Sequence, residues 1–340
     1  MPLVSVILPV YNGAQTISAT LKSVFQQSIQ DFELIIVDDG STDQTLEVIS
    51  TVDDPRLKVF SYPNAGVATT RNRGVAHASG KYVSFVDADD LWTPDKLALQ
   101  LKALESTPDA AVAYSWTDYI DQEGRFIAEA QRVAFSGDVY AELLRRDFLE
   151  SASNATIRRQ AFLACGGFDP SLSGAADWDL FLRLAKRYAF VAVPHPGVLY
   201  RLLSSSMSAN LAMQEEECLT VLDRAYKQAP PHLQSLKQQS LGQLYQYLSF
   251  KAMHGPLHRP KGASALHYLY QSLAHSPRAA LQQPRLTSVL ILKILVALLL
   301  PRQSQQLIDQ LRQSCSGRLY GGQASGCGIK VAQYHPYDAR

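Results

Sequence analysis

The sequence predicts an α/β fold, a mostly parallel β-sheet flanked by helices, with a helical extension after it. Short apolar runs rich in β-branched residues alternate with segments whose apolar residues recur at helical spacing. Polar residues follow several of these runs directly. With 46% hydrophobic and 19% charged residues, the composition excludes a disordered chain and a chain that crosses a membrane many times.

The first two strands are predicted from apolar runs at residues 4–10 and 33–37, which have the continuous character of strands buried on both faces. Between them, apolar residues at helical spacing predict a helix over residues 17–25. After the second strand, Ser41 and Gln44 have the spacing of a capping box and predict the start of the second helix.

Two further strands are predicted at residues 57–60 and 82–86. Between them, residues 66–78 are expected to form a helix that is closed by Gly80. The Thr-Pro pair at residues 93–94 supplies an N-cap followed by a proline in the first helical position, which predicts the start of another helix. Strands that alternate with helices in this way build mostly parallel sheets.

Three of the predicted strands end in polar side chains, namely Tyr11, Asn12, Asp38, Asp39, Asp87 and Asp89. In open sheets of this class, ligands bind outside the carboxyl ends of the strands. A single polar cluster would be accounted for by turn residues or helix caps. Because two strand ends are acidic and a third polar end lies beside them, we expect a binding site at this edge of the sheet.

The chain has no GxGxxG after the first strand and no GxxxxGK[ST] anywhere, so a diphosphate would need its charge neutralised without a glycine cradle. Asp87-Ala88-Asp89 offers carboxylate oxygens that suit Mg²⁺ or Mn²⁺, and such ions keep waters and phosphate oxygens in their shell. Asp-x-Asp triplets arise often by chance. The position of this one, directly after a buried strand, makes it a candidate metal site.

The strings VSVILPVYN, FELIIVDDGSTDQT, GVATTRNRG and GKYVSFVDADD, in this order, resemble the inverting family-2 glycosyltransferases, which have the GT-A nucleotide-diphospho-sugar transferase fold. GGFDPSL and ADWDLFLRLA extend the resemblance over residues 1–205. Each string alone is weak, whereas their combination is specific. The resemblance implies transfer of a sugar from a nucleotide-diphosphate donor, a UDP- or dTDP-sugar, to a saccharide or lipid-linked acceptor, as in cell-surface polysaccharide synthesis.

The resemblance also implies roles for matching positions on the donor side. Pro9, Tyr11 and Asn12 are expected to line the nucleotide pocket at the end of the first strand. Asp39 is expected to accept a hydrogen bond from the N3–H of uracil or thymine. Arg71 is expected near the nucleotide, where it adds positive charge beside the phosphates.

The metal and the diphosphate have their own candidates under the same resemblance. Asp89 is expected to ligate Mg²⁺ or Mn²⁺ directly, and Asp87 to contact the ribose or the metal shell. Arg201 is expected to steady the diphosphate. The family often has a histidine two residues after its Tyr-Arg pair, but Tyr200-Arg201 is followed by two leucines. No histidine can therefore assist the leaving group from that position.

On the acceptor side, the family places its base in a Glu-Asp-x-Asp segment, which here reads Ala176-Asp177-Trp178-Asp179. Asp177 is therefore the expected general base, which deprotonates the acceptor hydroxyl, and Ala176 stands where the family has glutamate. Trp178 either stacks on the acceptor sugar or belongs to the core, and its place between two acids favours stacking. The Gly-Gly-Phe turn at residues 166–168 either approaches the acceptor or is purely structural.

The charge is unevenly distributed along the chain. Residues 1–258 hold 22 Lys and Arg against 29 Asp and Glu, whereas residues 259–340 hold 10 against 2. Within the basic part, residues 289–300 are apolar except for Lys293, a run too short for a bilayer span of about 20 residues. Such a segment is typical of peripheral contact with an anionic membrane. The alternatives are a buried helix of a helical core and a solvated basic face.

We therefore predict three regions: a GT-A domain over residues 1–210, a helical region over 211–313 that is a candidate for membrane association, and a poorly ordered tail over 314–340. The four cysteines lack disulfide or metal-site spacing, which favours a reducing compartment. The N-terminus lacks the basic region of a signal peptide. We expect a cytoplasmic location, either free or peripheral on the cytoplasmic membrane face.

A second hypothesis is a nucleotide-sugar-binding protein that has lost catalysis, motivated by Ala176 and the missing histidine. Retention of Asp89 and Asp177 favours the enzyme, because a protein that only binds the donor has no need for a base. Nucleic acid is not expected as a partner, because the basic part of the chain has no recognisable binding module with interleaved aromatic residues.

Overall fold

The computed structural model describes residues 1–203, 210–253, 258–277 and 284–299. Contacts between residues divide the chain into two compact units, Met1–Leu233 and Gln234–Arg340. The first unit is built on a nine-stranded sheet, and the described part of the second unit is helical. The domain boundary at residue 210 stays a prediction, and the tail predicted over residues 314–340 lies outside the described residues.

The first unit contains strands and helices in alternation. Its strands are β1 Val4–Val10, β2 Phe32–Asp38, β3 Leu57–Ser61, β4 Tyr82–Phe85, β5 Leu91–Trp92, β6 Ala110–Ile120, β7 Phe126–Glu129, β8 Thr156–Arg158 and β9 Ala189–Arg201. Its helices are α1 Ile17–Phe25, α2 Thr45–Ser50, α3 Val67–Ala76, α4 Lys96–Ser106, α5 Tyr140–Arg145, α6 Arg159–Ala164, α7 Ala176–Ala185 and α8 Leu211–Gln228. The four strands predicted from apolar runs are all present.

The sheet runs in the order β3-β2-β1-β4-β8-β6-β9-β5, and β7 pairs with β6 beside this path. Strands β3, β2, β1 and β4 are parallel, as the alternation of strands and helices predicted. Strand β8 is antiparallel to both of its neighbours, β4 and β6, so the sheet is mixed in its second half. The predicted α/β class, with a largely parallel sheet and flanking helices, is confirmed.

One face of the parallel strands is covered by helices α1 and α4. Each helix turns a stripe of buried apolar residues toward the sheet, which is the pattern expected of a helix with one apolar face. The covering residues are Ile17, Leu21, Val24, Leu97, Leu101 and Leu104. Because β1 and β2 are buried along their whole length, their polar residues are free to face a ligand only at the strand ends.

Two predicted helix starts are wrong, because the hydroxyl groups concerned bind elsewhere. The Ser41 hydroxyl oxygen accepts the backbone N–H of Asn12 at 2.9 Å, so Ser41 fixes the end of β1 and does not cap α2. The Thr93 hydroxyl donates to the carbonyl of Pro196 at 2.9 Å, and α4 begins after the Thr-Pro pair. In both cases a tertiary contact replaces the local cap.

Helix α3 ends at Ala76, so the prediction that Gly80 closes it is wrong. Gly80 instead lies against the first strand, where a Cβ atom would come within 2.6 Å of the backbone nitrogen of Ser5. Its N–H donates to the Ser5 hydroxyl oxygen at 2.9 Å. The glycine is needed there because β4 must begin directly beside β1.

The second unit contains α9 Lys237–Ala252, α10 Arg259–His275 and α11 Pro284–Leu299. Glycines allow close approach of these helices, since a Cβ on Gly242 would come within 2.5 Å of Ser276 Cβ, and one on Gly262 within 3.0 Å of Ala297 Cβ. The Ser272 hydroxyl donates to the carbonyl of Gly242 at 2.8 Å. Among the described residues, no helix is both long and apolar enough to cross a membrane.

The apolar run predicted at residues 289–300 lies in α11, except for residue 300, which is outside the described residues. Leu290, Ile294 and Ala297 are buried. The opposite side of the helix exposes four large apolar residues, Ile291, Leu292, Leu295 and Leu299. The buried-helix alternative therefore describes one face of α11 and leaves the other unexplained.

Candidate functional site

The carboxyl ends of β1, β2 and β4 lie side by side at one edge of the sheet. Val10 pairs with Asp38 in the parallel register of β1 and β2, and the N–H of Asp39 donates to the Val10 carbonyl at 2.8 Å. Because Ile7 pairs with Phe85, Asp87 follows β4 at the same edge. The structure therefore brings together the three polar clusters that the sequence places at strand ends.

Arg71 of α3 lies at the centre of this site. Its guanidinium contacts an oxygen of Asp87 at 2.6 Å and an oxygen of Asp177 at 2.5 Å, and only 4% of its side chain is exposed. The ring of Phe168 lies against it, 5.2 Å from the guanidinium carbon. Burial alone would lower the pKa of Arg71, but the carboxylates of Asp177 and Asp87 outweigh burial and raise it. Arg71 is a permanent cation that joins the turn after β4 to the first turn of α7.

Asp177 lies in the first turn of α7. One carboxylate oxygen binds Arg71, and the other accepts the N–H of Ala152 at 2.9 Å, so the side chain is fixed at both oxygens. Burial raises the pKa of the Asp177 carboxyl above its usual range; Arg71 opposes this shift, and Asp87 adds to it. A carboxylate with a raised pKa is a stronger base than an exposed aspartate.

The turn after β4 presents Asp87 and Asp89. The Asp87 N–H donates to the Ser153 hydroxyl oxygen at 3.0 Å, which fixes the start of the turn. Burial, and then the neighbouring charge of Asp87, raise the pKa of Asp89 to about 6. No other described residue donates a hydrogen bond to the Asp89 carboxylate. A largely desolvated carboxylate beside a second carboxylate fits a divalent cation, whose charge would offset the repulsion between them.

The described residues contain no group of three or more His, Cys, Asp or Glu side chains arranged to hold a metal ion. A closed protein cage, such as a structural zinc site, is therefore not formed within the described part of the chain. Mg²⁺ and Mn²⁺ in phosphate-binding sites commonly take one or two carboxylates and complete their shell with waters and phosphate oxygens. The Asp87–Asp89 turn fits that kind of site.

Arg201, at the end of β9, binds the turn after β4 that contains Asp87 and Asp89. Its Nε donates to the carbonyl of Asp89 at 2.8 Å, and Nη1 donates to the carbonyls of Asp121 and Gln122 at 3.0 and 2.7 Å. Its backbone N–H donates to the buried carboxylate of Asp90 at 3.2 Å. The turn is thereby fixed by backbone contacts, while the expected contact between Arg201 and a diphosphate stays a prediction.

Asp39 is buried at the end of β2 and is bound to the start of α3. Its two carboxylate oxygens accept the N–H groups of Ala65 and Gly66 at 3.0 and 2.9 Å, and Arg73 approaches to 3.3 Å. An ionised carboxylate can accept about four hydrogen bonds, so one position for a donor from a base remains. Its predicted role toward uracil or thymine is compatible with these contacts and is untested by them.

The three residues expected to line the nucleotide pocket at the end of β1 differ in exposure. Pro9 is buried inside the strand, whereas the side chain of Tyr11 is exposed. Asn12 has a left-handed backbone with φ of 52°, and its side-chain oxygen accepts the N–H of Thr42 at 2.8 Å. Asn12 is exposed like Tyr11, but its side-chain oxygen is engaged in holding the loop after β2.

The prediction that Trp178 stacks on an acceptor sugar is wrong. Only 5% of this residue is exposed, and its indole N–H donates to the carbonyl of Leu143 in α5 at 2.8 Å. Successive residues of a helix point about 100° apart, so α7 turns Trp178 toward α5 when it turns Asp177 toward Arg71. Trp178 is a core residue that packs α7 against α5.

The segment between α5 and β8 supplies residues that sequence reasoning missed. Ala152 and Ser153 bind Asp177 and Asp87 through the contacts described above. Glu150 has a left-handed backbone with φ of 70°, and its carboxylate accepts the Tyr119 hydroxyl at 3.2 Å. Burial raises the pKa of Asp147 and of Glu150 to about 7 in each case. No local motif marks this segment, because its role depends on contacts with distant parts of the chain.

The fold, with an Asp-x-Asp turn at the edge of a largely parallel sheet, defines the chain as a protein of the GT-A class. The mannosyltransferase PcManGT from Pyrobaculum calidifontis, in complex with GDP-Man and Mn²⁺, has a TM-score of 0.57 at 21% identity, covering 88% of this chain and 87% of that chain. TarS from S. aureus, in complex with UDP-GlcNAc, has a TM-score of 0.55 at 17% identity, covering 84% and 92%. At such identities the likeness shows the fold.

The sequence profile described as glycosyltransferase like family 2 matches residues 5–252, and the chain belongs to this family. Chondroitin synthase from Pasteurella multocida (strain Pm70) is 34% identical over 194 residues, which are 55% of this chain and 19% of that protein. The putative colanic acid biosynthesis glycosyl transferase WcaA from Escherichia coli (strain K12) is 31% identical over 192 residues, 55% of this chain and 67% of that protein. The chain spans only 19% to 24% of the length of the first curated relatives it matches.

Proposed function

We propose that the chain is an inverting, metal-dependent glycosyltransferase of polysaccharide synthesis, which moves a sugar from a UDP- or dTDP-sugar to a saccharide or lipid-linked saccharide. The observation that carries this proposal is the buried network in which Arg71 joins Asp87 of the donor turn to Asp177. A protein that only bound the donor would have no use for a fixed, desolvated carboxylate beside it. Membership of the family, with relatives named for polymer synthesis, supports the same function.

The donor half of the proposal rests on the turn after β4. Asp89, together with Asp87, would hold Mg²⁺ or Mn²⁺, and the bound cation supplies Lewis-acid stabilisation of the leaving diphosphate. Arg201 keeps the turn in place through the Asp89 carbonyl, and Arg71 adds a buried positive charge on the same side. TarS in complex with UDP-GlcNAc, and the mannosyltransferase in complex with GDP-Man and Mn²⁺, support a nucleotide-sugar as the donor.

The acceptor half rests on Asp177. The acceptor hydroxyl attacks the anomeric carbon from the face opposite the diphosphate, its proton passes to the Asp177 carboxylate, and the bond from that carbon to the diphosphate oxygen breaks. Arg71 and the Ala152 N–H fix the carboxylate in place, so little reorganisation is needed when the hydroxyl arrives. Burial raises the pKa of Asp177, which suits it to hold the proton until product leaves.

The test is donor turnover across UDP-, dTDP- and GDP-sugars, each with Mn²⁺ and with a chelator. We expect one uridine or thymidine donor to be hydrolysed or transferred, and the chelator to abolish turnover. Turnover of a GDP-sugar alone would contradict the assignment of the base at Asp39. Tight binding of a donor without turnover in any acceptor mixture would favour the alternative, a nucleotide-sugar-binding protein without catalysis.

We also propose that the chain acts at the cytoplasmic face of an anionic membrane, in peripheral contact through α11. Leu292, Leu295 and Leu299 are exposed on one side of this helix, and the surrounding part of the sequence is strongly basic. Flotation with vesicles that contain anionic lipid tests the contact. We expect Leu292→Gln with Leu295→Gln to reduce flotation and Leu163→Gln, an exposed leucine of the first unit, to leave it unchanged. Equal flotation of the wild type, the double variant and Leu163→Gln would contradict membrane contact through α11.

A further inference from the structure

A cavity of about 370 Å³ lies within the first unit, between α7, α8 and the loop over residues 166–170. Its size falls within the range of small-molecule sites. The floor is apolar, formed by Tyr140, Phe168, Leu182 and Val221, all of which are buried or nearly so. The rim carries charged side chains from both helices and from the loop.

The cavity is separate from the catalytic residues. At 3.6 residues per turn, Leu182, Arg183 and Lys186 lie on the side of α7 opposite to Asp177. The loop over residues 166–170 connects the two sides, because the Phe168 ring forms part of the cavity floor and also lies against Arg71. A ligand in the cavity would therefore touch the same loop that packs beneath the catalytic network.

The rim has more positive than negative side chains. Arg183 pairs with Asp179 at 2.6 Å, and Arg224 pairs with Asp169 at 2.6 Å. Lys186 has a neutral partner among the described residues, since its ammonium donates to the amide oxygen of Gln228 at 3.1 Å. Two ion pairs and one additional cation leave a net positive charge that favours an anionic group.

We propose that this cavity binds an anionic sugar unit of the acceptor chain, at a distance from the hydroxyl that reacts. The planar side chains of the rim offer donors and acceptors to the hydroxyl groups of a sugar ring, above a floor of buried apolar side chains. Lys186 would bind the carboxylate or phosphate of that unit by a charge-assisted hydrogen bond. As a statement about acceptor recognition, this inference rests on the proposed function.

The test measures binding by the full chain without any donor, with glucuronate, glucose and inorganic phosphate as probes in an NMR titration. We expect glucuronate to bind more tightly than glucose or phosphate. Lys186→Gln should weaken glucuronate binding about tenfold and leave glucose binding unchanged. The matched control is Lys227→Gln in α8, whose ammonium pairs with Asp223 outside the cavity, and it should have no effect.

A second variant tests the cavity without a change of charge. Ala225→Phe places a ring in the cavity and should abolish binding of both sugars, while circular dichroism shows that the fold is kept. Glucuronate binding that survives Ala225→Phe, equal binding of glucuronate and glucose, or phosphate binding as tight as that of glucuronate would overturn the inference. So would the absence of glucuronate binding. Because no donor is present, glucuronate binding by a chain without transferase activity would contradict the proposed function alone.

Discussion

The guanidinium of Arg71 lies 2.5 Å from the carboxylate of Asp177, although the two residues are 106 positions apart in the chain. The same guanidinium binds Asp87 at 2.6 Å, so one buried cation neutralises a carboxylate on the turn after β4 and the candidate base. Removal of the cation would leave two carboxylates with little access to water. The pair therefore links the stability of the unit to the arrangement of the site.

Arg71→Met is expected to lower the free energy of unfolding by at most about 3–5 kcal/mol, because it leaves the carboxylates of Asp87 and Asp177, whose side chains are only 26% and 19% exposed, without their common partner. Arg71→Lys keeps the charge but cannot bridge both carboxylates with the planar fork of a guanidinium, so it should recover part of the stability and little of the activity. Urea unfolding at neutral pH measures the change. Arg73→Met, on the same helix, removes a longer and more exposed ion pair with Asp39 and is expected to cost under about 1 kcal/mol.

Asp177→Asn is expected to reduce turnover by about 10²- to 10⁴-fold and to leave the affinity for the nucleotide donor unchanged, since the amide cannot accept the hydroxyl proton. Single-turnover transfer and donor binding by calorimetry separate these effects. Glu105→Gln, an exposed carboxylate of α4 outside the site and the cavity, is the control and should leave turnover unchanged. Turnover retained by Asp177→Asn would remove Asp177 as the base.

Asp89→Asn is expected to raise the Mn²⁺ concentration for half-maximal activity by at least about tenfold. The control is Asp95→Asn, in the exposed loop before α4, which should have a smaller effect on this concentration. Because the pKa of Asp89 is raised to about 6, metal binding by the wild-type chain should also weaken as the pH falls from 7 to 5 and the carboxyl takes up a proton. Mn²⁺ titration in the presence of UDP, followed by electron paramagnetic resonance, measures both effects. An unchanged affinity in Asp89→Asn would place the metal elsewhere.

The strands that end in the candidate site could be predicted from the sequence because their signals are local. Strands β1 and β2 are buried on both faces, so each appears as an unbroken apolar run, and the polar residues that follow mark where each strand ends. The acidic residues at those ends could be assigned to one edge without knowledge of any side-chain contact. The prediction failed where a hydroxyl group had two possible partners, as with Ser41 and Thr93.

The surroundings of Asp177 could not be derived in the same way, because their contacts join distant parts of the chain. Strand β8, which separates β4 from β6 in the sheet, has three residues and no distinctive pattern. The contact of Ala152 with Asp177 depends on that placement. Which way the Trp178 side chain points depends on the residue at which α7 begins. An error of one residue in that position rotates each side chain by about 100°, which is enough to assign a core residue to the surface.

Glu150→Gln is expected to change how stability depends on pH. The pKa of Glu150 is raised to about 7 in the folded chain, whereas it is near 4.5 when unfolded, so between these values the folded state binds more protons. The free energy of unfolding must then fall as the pH rises, by up to about 1.4 kcal/mol for each pH unit. Glu150→Gln lacks this contribution to the decrease, so its free energy of unfolding should be higher than that of the wild type at pH 8.

Urea unfolding of both proteins from pH 4 to pH 8 measures that slope. Glu123→Gln, on an exposed turn of the same unit, is the matched control and should follow the wild type. Parallel curves for the wild type and Glu150→Gln would show that the carboxyl is ionised in the folded chain at neutral pH, which contradicts the burial argument.

Trp178→Phe distinguishes a core residue from a sugar platform. As a core residue, Trp178 loses its hydrogen bond in the variant and leaves the carbonyl of Leu143 buried without that donor, which costs about 1–3 kcal/mol of folding stability. The KM for the acceptor should stay the same, because the side chain is turned away from Asp177. Thermal unfolding and acceptor titration at saturating donor measure the two quantities. A raised acceptor KM with unchanged stability would restore the stacking role and would require α7 to be rotated from the orientation described.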